Sequence, residues 1–290
     1  MSPPRWTSAD LPDLSGRTVI VTGATSGIGR MAARDLARAG ARVVLAVRNP
    51  DLGERVASEM QGDTEVRRLD LTQLDSVRAF AGGWEGGIDV LVNNAGVMAT
   101  PEGRTGDGFE LQIGTNHLGH FLLTNLLLEQ VRERVVTVSS YAHRMGRIDL
   151  DDLNFERRRY RRWVAYGQSK LANMLFAQEL ARRFDSDASG RRSLVVHPGW
   201  SATHLQGQTR NRLQDGVMAL GNRLWAQTDE QGAWPTVYAA TQDIPNGSFV
   251  GPDKLFGLRG HPRLERPSRA GRDPEQARRL WELSERLTAA

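Results

Sequence analysis

Tyr166 and Lys170 form the pair of side chains in this sequence best suited to move a proton. They lie four residues apart in Tyr166–Phe184, a predicted helix, so both project from one face. A free phenol has a pKa of ~10 and is a poor base at neutral pH. Lowering that pKa to ~7 takes about 4 kcal/mol of phenolate stabilisation, and a nearby ammonium group stabilises the phenolate. Lys170 and Lys254 are the only lysines among 38 basic residues, which favours a specific role. Taken alone, Tyr-x-x-x-Lys also fits an amphipathic tyrosine and a lysine reaching solvent.

A glycine-rich turn follows the predicted strand Arg17–Thr22 and precedes the predicted helix Ile28–Ala39. Glycine lets a backbone approach a pyrophosphate, and a helix N-terminus offers free N–H groups to it. The spacing is G-x-x-x-G-x-G, and a plain tight turn is the alternative. The candidate cofactor contacts here are Gly23, Thr25, Ser26, Gly27, Ile28 and Gly29.

Polar or small residues also follow three further predicted strands. Asn93-Asn94-Ala95-Gly96 follows Ile88–Val92, Ser139-Ser140 closes Arg134–Ser139, and Asp70-Leu71 follows Glu65–Leu69. Ligands of open α/β sheets lie beyond the carboxyl ends of the strands, where these residues would meet. The alternatives are an ordinary turn at the asparagines and a helix N-cap at Asp70.

The end of the second predicted strand, Ala41–Val47, bears on the choice of dinucleotide. A site for NAD(H) places a carboxylate there for the ribose 2′-hydroxyl. This chain has Val47 at that point and Arg48 after it, so no acid repels a 2′-phosphate and a guanidinium can bind it. The pattern favours NADP(H) over NAD(H), unless Arg48 is an ordinary solvated side chain.

Taken together, these motifs resemble the short-chain dehydrogenase/reductase family over nearly the whole chain. Within it, the chain is similar to the branch of retinol dehydrogenases, WW-domain-containing oxidoreductase and light-dependent protochlorophyllide reductase. The segments that carry this likeness are Thr115–Phe121, Val138–His143, Tyr166–Asn173 and His197–Gly199.

The resemblance implies a catalytic tetrad of Asn116, Ser140, Tyr166 and Lys170. In such a tetrad Tyr166 gives a proton to a carbonyl oxygen that Ser140 holds, while Lys170 grips the nicotinamide ribose and Asn116 holds a water. Ser140 is preferred to Ser139 because the family's serine is usually the second of the pair. The implied cofactor contacts beyond the glycine turn are Arg48, Asp70, Leu71, Asn93, Ala95, Gly96, Tyr166, Lys170, Pro198, Gly199 and Thr203.

Buried apolar strands that alternate with helices predict the scaffold for these residues. The fold class is α/β: a single-domain doubly wound Rossmann fold over residues 1–290, with a central parallel sheet of about seven strands flanked by helices. A long helix is predicted across Gly108–Glu129, a sixth strand at Ser193–His197, a weak seventh at Ser248–Val250 and a last helix at Pro274–Leu287. Substrate loops are expected around 142–165 and 204–226.

Composition excludes several classes of protein. The 290 residues carry a net charge of +4, too little to indicate nucleic-acid binding, and include no cysteine. No stretch approaches the ~18 apolar residues of a membrane span, and no secretory signal is present, so a cytoplasmic protein is expected. His143, His197 and His204 lack metal-ligand spacing, and no metal is predicted. Whether the chain forms a homo-oligomer stays open.

The substrate is expected to be a lipophilic alcohol or carbonyl compound. Apolar residues recur in 204–226, although core packing explains them equally well; they are Leu205, Val217, Met218, Leu220, Leu224 and Trp225. The basic run Arg157–Trp163 is either a solvated insertion or a rim that attracts an anionic partner. A non-catalytic dinucleotide sensor is the rival function. A serine hydrolase is excluded because no Gly-x-Ser-x-Gly elbow is present.

Overall fold

The structure, a computed structural model that describes residues 5–199 and 227–289, contains one sheet with helices on both faces. The strands are β1 (Thr18–Thr22), β2 (Arg42–Val47), β3 (Thr64–Arg68), β4 (Ile88–Asn93), β5 (Val131–Val138), β6 (Arg192–Val196), β7 (Phe249–Lys254) and β8 (Arg259–Glu265). The helices are α1 (Gly27–Arg38), α2 (Pro50–Ala57), α3 (Leu74–Gly82), α4 (Leu111–Ile113, Gly114–Leu118 and Gly119–Leu127 in succession), α5 (Arg162–Ser186), α6 (Asp229–Thr241) and α7 (Pro274–Thr288).

The sheet order is β3-β2-β1-β4-β5-β6-β7-β8, and every pair is parallel except β7 with β8. The order reverses beside β1, which pairs with β2 on one side and β4 on the other. Such a reversal opens a crevice at the carboxyl edge, where nucleotides bind in open α/β sheets. The predicted fold class is therefore confirmed.

Alternate side chains of β1 enter two separate cores. Val19 and Val21 pack with α1, α2 and α6, whereas Ile20 faces α3, α4, α5 and α7. On the second face Trp281 of α7 lies with its ring centroid 5.0 Å from that of Phe121 and 5.6 Å from that of Phe176. Helices therefore cover both faces of the sheet and hold its strands in place, including their carboxyl ends.

The eighth strand was not predicted. Strand β8 pairs antiparallel with β7 at the edge of the sheet and is only partly buried along its length. Its residues alternate little in polarity and include Pro262, so the sequence lacks the buried β-branched run that marks the central strands. Its partner β7 is likewise longer than the predicted Ser248–Val250.

Helix α4 is one continuous stretch of three segments, Leu111–Ile113, the π-helical Gly114–Leu118 and Gly119–Leu127. The predicted start at Gly108 was too early, because the Glu110 carboxylate caps the helix by accepting from the N–H groups of Gln112 and Ile113, both at 2.8 Å. The π segment adds one residue to a turn and contains Asn116. Such turns often mark functional sites.

The two predicted substrate loops differ in how far the structure describes them. Residues 204–226, His204 and Thr203 lie outside the described residues. In the loop 142–165, one arginine of the basic run packs against the loop itself: Arg158 Nε contacts Asp152 Oδ2 at 3.0 Å, and its guanidinium lies 4.3 Å from the centroid of Phe155.

None of the helices in residues 5–199 and 227–289 is long and apolar enough to cross a membrane.

Candidate active site

A cleft of about 940 Å³ runs along the carboxyl edge of the sheet and joins most of the predicted site residues. The predicted residues that line it are Gly23, Thr25, Ser26, Gly27, Ile28, Gly29, Arg48, Asp70, Leu71, Ala95, Gly96, Ser140, Tyr166, Lys170, Pro198 and Gly199. Of the predicted residues that the structure describes, Asn93 and Asn116 do not line it.

The glycine turn leaves the start of α1 open to this cleft. Gly23 and Gly27 have φ of +68° and +55°, which favours glycine, and Gly23 N–H donates to the Ala46 carbonyl at 2.9 Å. Ser26 is the N-cap residue, yet its side chain makes no cap hydrogen bond. The first N–H groups of α1 therefore remain available to a phosphate, which the helix dipole also favours.

Gly29 holds the turn against the loop after β4. A Cβ at this position would collide with the Asn94 amide and lie 2.5 Å from the Gly23 carbonyl oxygen. Asn94 cannot yield freely, since its Nδ2 donates to the Thr22 carbonyl at 2.8 Å. Close packing of the Gly29 backbone against the Gly23 carbonyl and the Asn94 side chain thus explains why glycine is needed here.

Gly29→Ala is expected to lower the free energy of unfolding by about 1–3 kcal/mol, because the added methyl group has no room. Cofactor affinity should fall as well, since the turn that faces the phosphates must shift. Gly82→Ala is the matched control, because an added methyl group at Gly82, the last residue of α3, would meet no atom within 4 Å. Chemical denaturation and cofactor titration measure both effects; equal results for the two variants would contradict this view of the turn.

Tyr166 and Ser140 bring two hydroxyl groups together in the cleft. Burial raises the pKa of the Tyr166 phenol, and a hydrogen bond with the Ser140 side chain partly offsets this rise. Ser139 is not an alternative partner, because its Oγ donates to the Lys170 carbonyl at 2.7 Å and is buried. The buried phenol therefore keeps its proton at neutral pH, which suits a proton donor.

Lys170 places a buried amine in the same cleft, beside the ring of Tyr166. Its Nζ donates to the Val138 carbonyl at 3.1 Å and lies 5.9 Å from the centroid of the Tyr166 ring. Burial lowers the pKa of this amine to about 8. Gly96 adjoins it, since a Cβ there would lie 3.5 Å from Nζ.

Asn116 lies behind this group, in the π segment of α4. Its Oδ1 accepts from Val97 N–H at 2.8 Å, and its Nδ2 donates to the Val97 carbonyl and to Ser169 Oγ, both at 2.9 Å. Because both amide hydrogens are used, the side chain can hold a further group only as an acceptor. Its hydrogen bonds fasten the loop after β4 to the π segment.

At the other end of the cleft, Arg48 and Asp70 flank the end of β2. The Arg48 side chain is exposed and has no ion-pair partner among the described residues, whereas Val47 before it is buried. Asp70 Oδ1 accepts from Thr72 N–H at 3.0 Å and from Thr72 Oγ1 at 2.7 Å. Gln73 is the N-cap residue of α3, so the alternative role of Asp70 as that cap is not found.

Asn93 is the predicted contact that points elsewhere. It is fully buried, and its Nδ2 donates to Thr124 Oγ1 at 2.9 Å. The next residue, Asn94, lines the cleft instead and was not predicted as a contact. The alternation of side chains along β4 is the signal that distinguishes them, since the last residue of a strand and its successor face opposite ways.

Of the three histidines that the sequence analysis considered, the structure describes His143 and His197, and both form hydrogen bonds with the backbone. His143 Nδ1 donates to the Ser140 carbonyl at 2.7 Å, and burial lowers the pKa of its ring to about 4. His197 Nδ1 accepts from Gly199 N–H at 3.3 Å, and its ring stacks on Phe249. No cluster of three metal-ligating side chains occurs in the described part of the chain.

Comparison with known proteins adds four likenesses. A protein-family model described as short chain dehydrogenase matches residues 17–214. Retinol dehydrogenase 13 of Homo sapiens is 42% identical over 94% of this chain and 85% of its own length. Polyprenol dehydrogenase of Mus musculus is 42% identical over 97% of this chain and 86% of its own length. A solved structure from Mycobacterium paratuberculosis is 51% identical, with a TM-score of 0.86 over 99% of this chain and 98% of that chain.

Proposed function

The chain belongs to the short-chain dehydrogenase family, and from that premise we propose that it interconverts an alcohol and a carbonyl group on a lipophilic small molecule with NADP(H). The observation that carries the proposal is the meeting of Tyr166, Ser140 and Lys170 in one cleft with the glycine turn. The same scaffold without these side chains would fit a nucleotide sensor.

The residues present fit a dinucleotide. Gly23 and Gly29 let the turn pack tightly against the loop after β4, where a Cβ would meet Ala95 or Asn94, and the uncapped N-terminus of α1 offers N–H donors to the cleft that the turn lines. Arg48 would hold a 2′-phosphate, Asp70 and Leu71 would flank the adenine, and Lys170 would bind the nicotinamide ribose. When bound, the nicotinamide supplies or accepts the hydride at the substrate carbon.

Side chains of this protein would transfer the proton that the reaction requires. In carbonyl reduction the Tyr166 phenol donates its proton to the substrate oxygen, which the Ser140 hydroxyl holds by a hydrogen bond. The Lys170 ammonium then stabilises the phenolate left behind, because an opposite charge nearby favours the ionised form. Oxidation of an alcohol uses the same groups in reverse.

An apolar wall in the same cleft supports a lipophilic substrate. The wall consists of Val97, Met98, Leu111, Met145, Trp163 and Leu258. Apolar walls with few polar groups are typical of sites for small lipophilic ligands. Two relatives are named for isoprenoid alcohols, retinol and polyprenol, which agrees with this chemistry.

A panel of aldehydes, ketones and alcohols, followed by NADPH absorbance, tests the proposal. We expect turnover of long apolar carbonyl compounds and little turnover of short polar ones. Cofactor binding without turnover of any substrate in the panel would favour the sensor instead.

The rate of carbonyl reduction is expected to fall as pH rises through about 8. Burial lowers the pKa of Lys170 to about 8 and raises that of Tyr166, so the ammonium is lost while the phenol is still protonated. Below that pH both groups are protonated and the rate should be level. The pH profile of kcat/KM for reduction measures this, and a profile that stays level well above pH 8 would exclude Lys170 as the controlling group.

A further inference from the structure

A buried histidine connects the backbone around the candidate tetrad. His120 of α4 is 1% exposed, and its Nδ1 lies 3.0 Å from the Asn116 carbonyl oxygen. Its Nε2 lies 2.9 Å from Thr22 Oγ1, at the end of β1. A carbonyl oxygen can only accept, so Nδ1 carries the proton and Nε2 is the acceptor.

Thr22 fixes the direction of the second bond. Its Oγ1 accepts from the N–H groups of Asn94 and Ala95, both at 2.9 Å, so its own hydrogen goes to His120 Nε2, a nearer acceptor than the Val92 carbonyl at 3.3 Å. Burial lowers the pKa of the His120 ring to about 4, which keeps the ring neutral and this pattern intact at neutral pH. The chain of bonds thus runs from the loop after β4, through Thr22 and His120, to the π segment.

The position of Asn116 matters for the neighbouring amine. Its amide bonds both backbone groups of Val97, and a Cβ on Gly96 would lie 3.1 Å from Asn116 Oδ1 and 3.5 Å from Lys170 Nζ. A shift of the π segment would therefore move the loop that adjoins Lys170. His120 itself does not line the cleft, so it can act on Lys170 only through its hydrogen-bond partners.

We propose that His120 is a positioning residue: with its ring oriented by Thr22, it donates to the Asn116 carbonyl, and this bond fixes the π segment and the Gly96–Val97 loop beside Lys170. The inference rests on the proposed function. It assigns His120 an effect on turnover that a residue needed only for folding would not have.

Two polar substitutions separate the bonds of His120. In His120→Asn the amide nitrogen occupies the place of Nδ1 and can still donate to the Asn116 carbonyl. In His120→Gln the amide reaches toward Thr22 instead and leaves that carbonyl without its donor. We expect His120→Gln to lose about tenfold in kcat, the worth of one hydrogen bond, with KM for both substrates within about twofold. His120→Asn should keep kcat within about threefold of the parent chain.

Asn125→Leu is the matched control on the same helix. Asn125 Nδ2 donates to the Phe121 carbonyl at 2.8 Å, the same side-chain bond to the carbonyl four residues earlier, but farther along α4 from the site. It should lose stability without losing kcat. Equal kcat for His120→Gln and His120→Asn, or an equal loss in Asn125→Leu, would overturn the proposal. If the parent chain itself reduces no carbonyl compound, it is the proposed function that fails.

Discussion

Tyr166→Phe is expected to fold as the parent chain does and to bind NADPH with similar affinity. Its turnover rate should fall by a factor of ~10² to ~10⁴, the usual contribution of a general acid. Only one oxygen atom is removed from a buried ring, so no large cavity opens. The phenol lies with Ser140 in the cleft and keeps a donatable proton at neutral pH, because burial raises its pKa.

The matched control is Tyr238→Phe, which deletes a hydroxyl group outside the cleft. Tyr238 belongs to α6 and packs edge-on against Trp6, with 5.2 Å between the ring centroids. Initial rates of NADPH oxidation and melting curves of both variants separate chemistry from folding. Turnover of Tyr166→Phe equal to that of Tyr238→Phe would refute the role of Tyr166.

The second large effect concerns the choice of cofactor. Arg48→Ala should weaken NADPH binding and leave NADH binding nearly unchanged, because only NADPH carries the 2′-phosphate. A charge-assisted hydrogen bond contributes ~1.5–3 kcal/mol, or roughly ten- to hundredfold in affinity. Arg48 is exposed, so screening by salt favours the lower end, about tenfold.

Val47→Asp should reverse the preference by adding a carboxylate that accepts from a ribose 2′-hydroxyl and repels a phosphate. The structure adds a cost, because Val47 is 2% exposed and packs against α2 at Gly53. A drop in stability should therefore accompany the switch. The matched control for Arg48→Ala is Arg55→Ala, which removes the same charge from an exposed arginine of α2 that lies outside the cleft. Titration of NADPH and NADH at fixed salt decides; equal affinity of the parent chain for both would refute the assignment of Arg48.

The centre of the parallel sheet was predictable because several of its strands are short runs of valine, leucine, isoleucine and alanine. β1, β2 and β4 are nearly continuous apolar segments, and burial on both faces demands this composition. Strand β8 was not predictable in this way because an edge strand needs no such run. The likeness to short-chain dehydrogenases, based on ordered motifs, is confirmed by the family match.

The candidate site was predictable as a set of residues but not as a network. Motif order placed Ser140, Tyr166 and Lys170 at one edge of the sheet, and their roles stay predictions. The π segment around Asn116 depends on how α4 packs against neighbouring elements, and no local pattern signals it. The contacts of His120 join residues 98 positions apart in the chain, which periodicity along one element does not reveal.

Transfer of deuterium from labelled NADPH tests the central claim most directly. The protein is incubated with NADPH that carries deuterium at both C4 positions of the dihydronicotinamide, together with the panel of apolar carbonyl compounds, and mass spectrometry follows the alcohols formed. Hydride transfer in the cleft predicts one deuterium on the carbinol carbon of each product, with almost none formed by Tyr166→Phe. Intact binding of NADPH without any labelled alcohol would contradict the account.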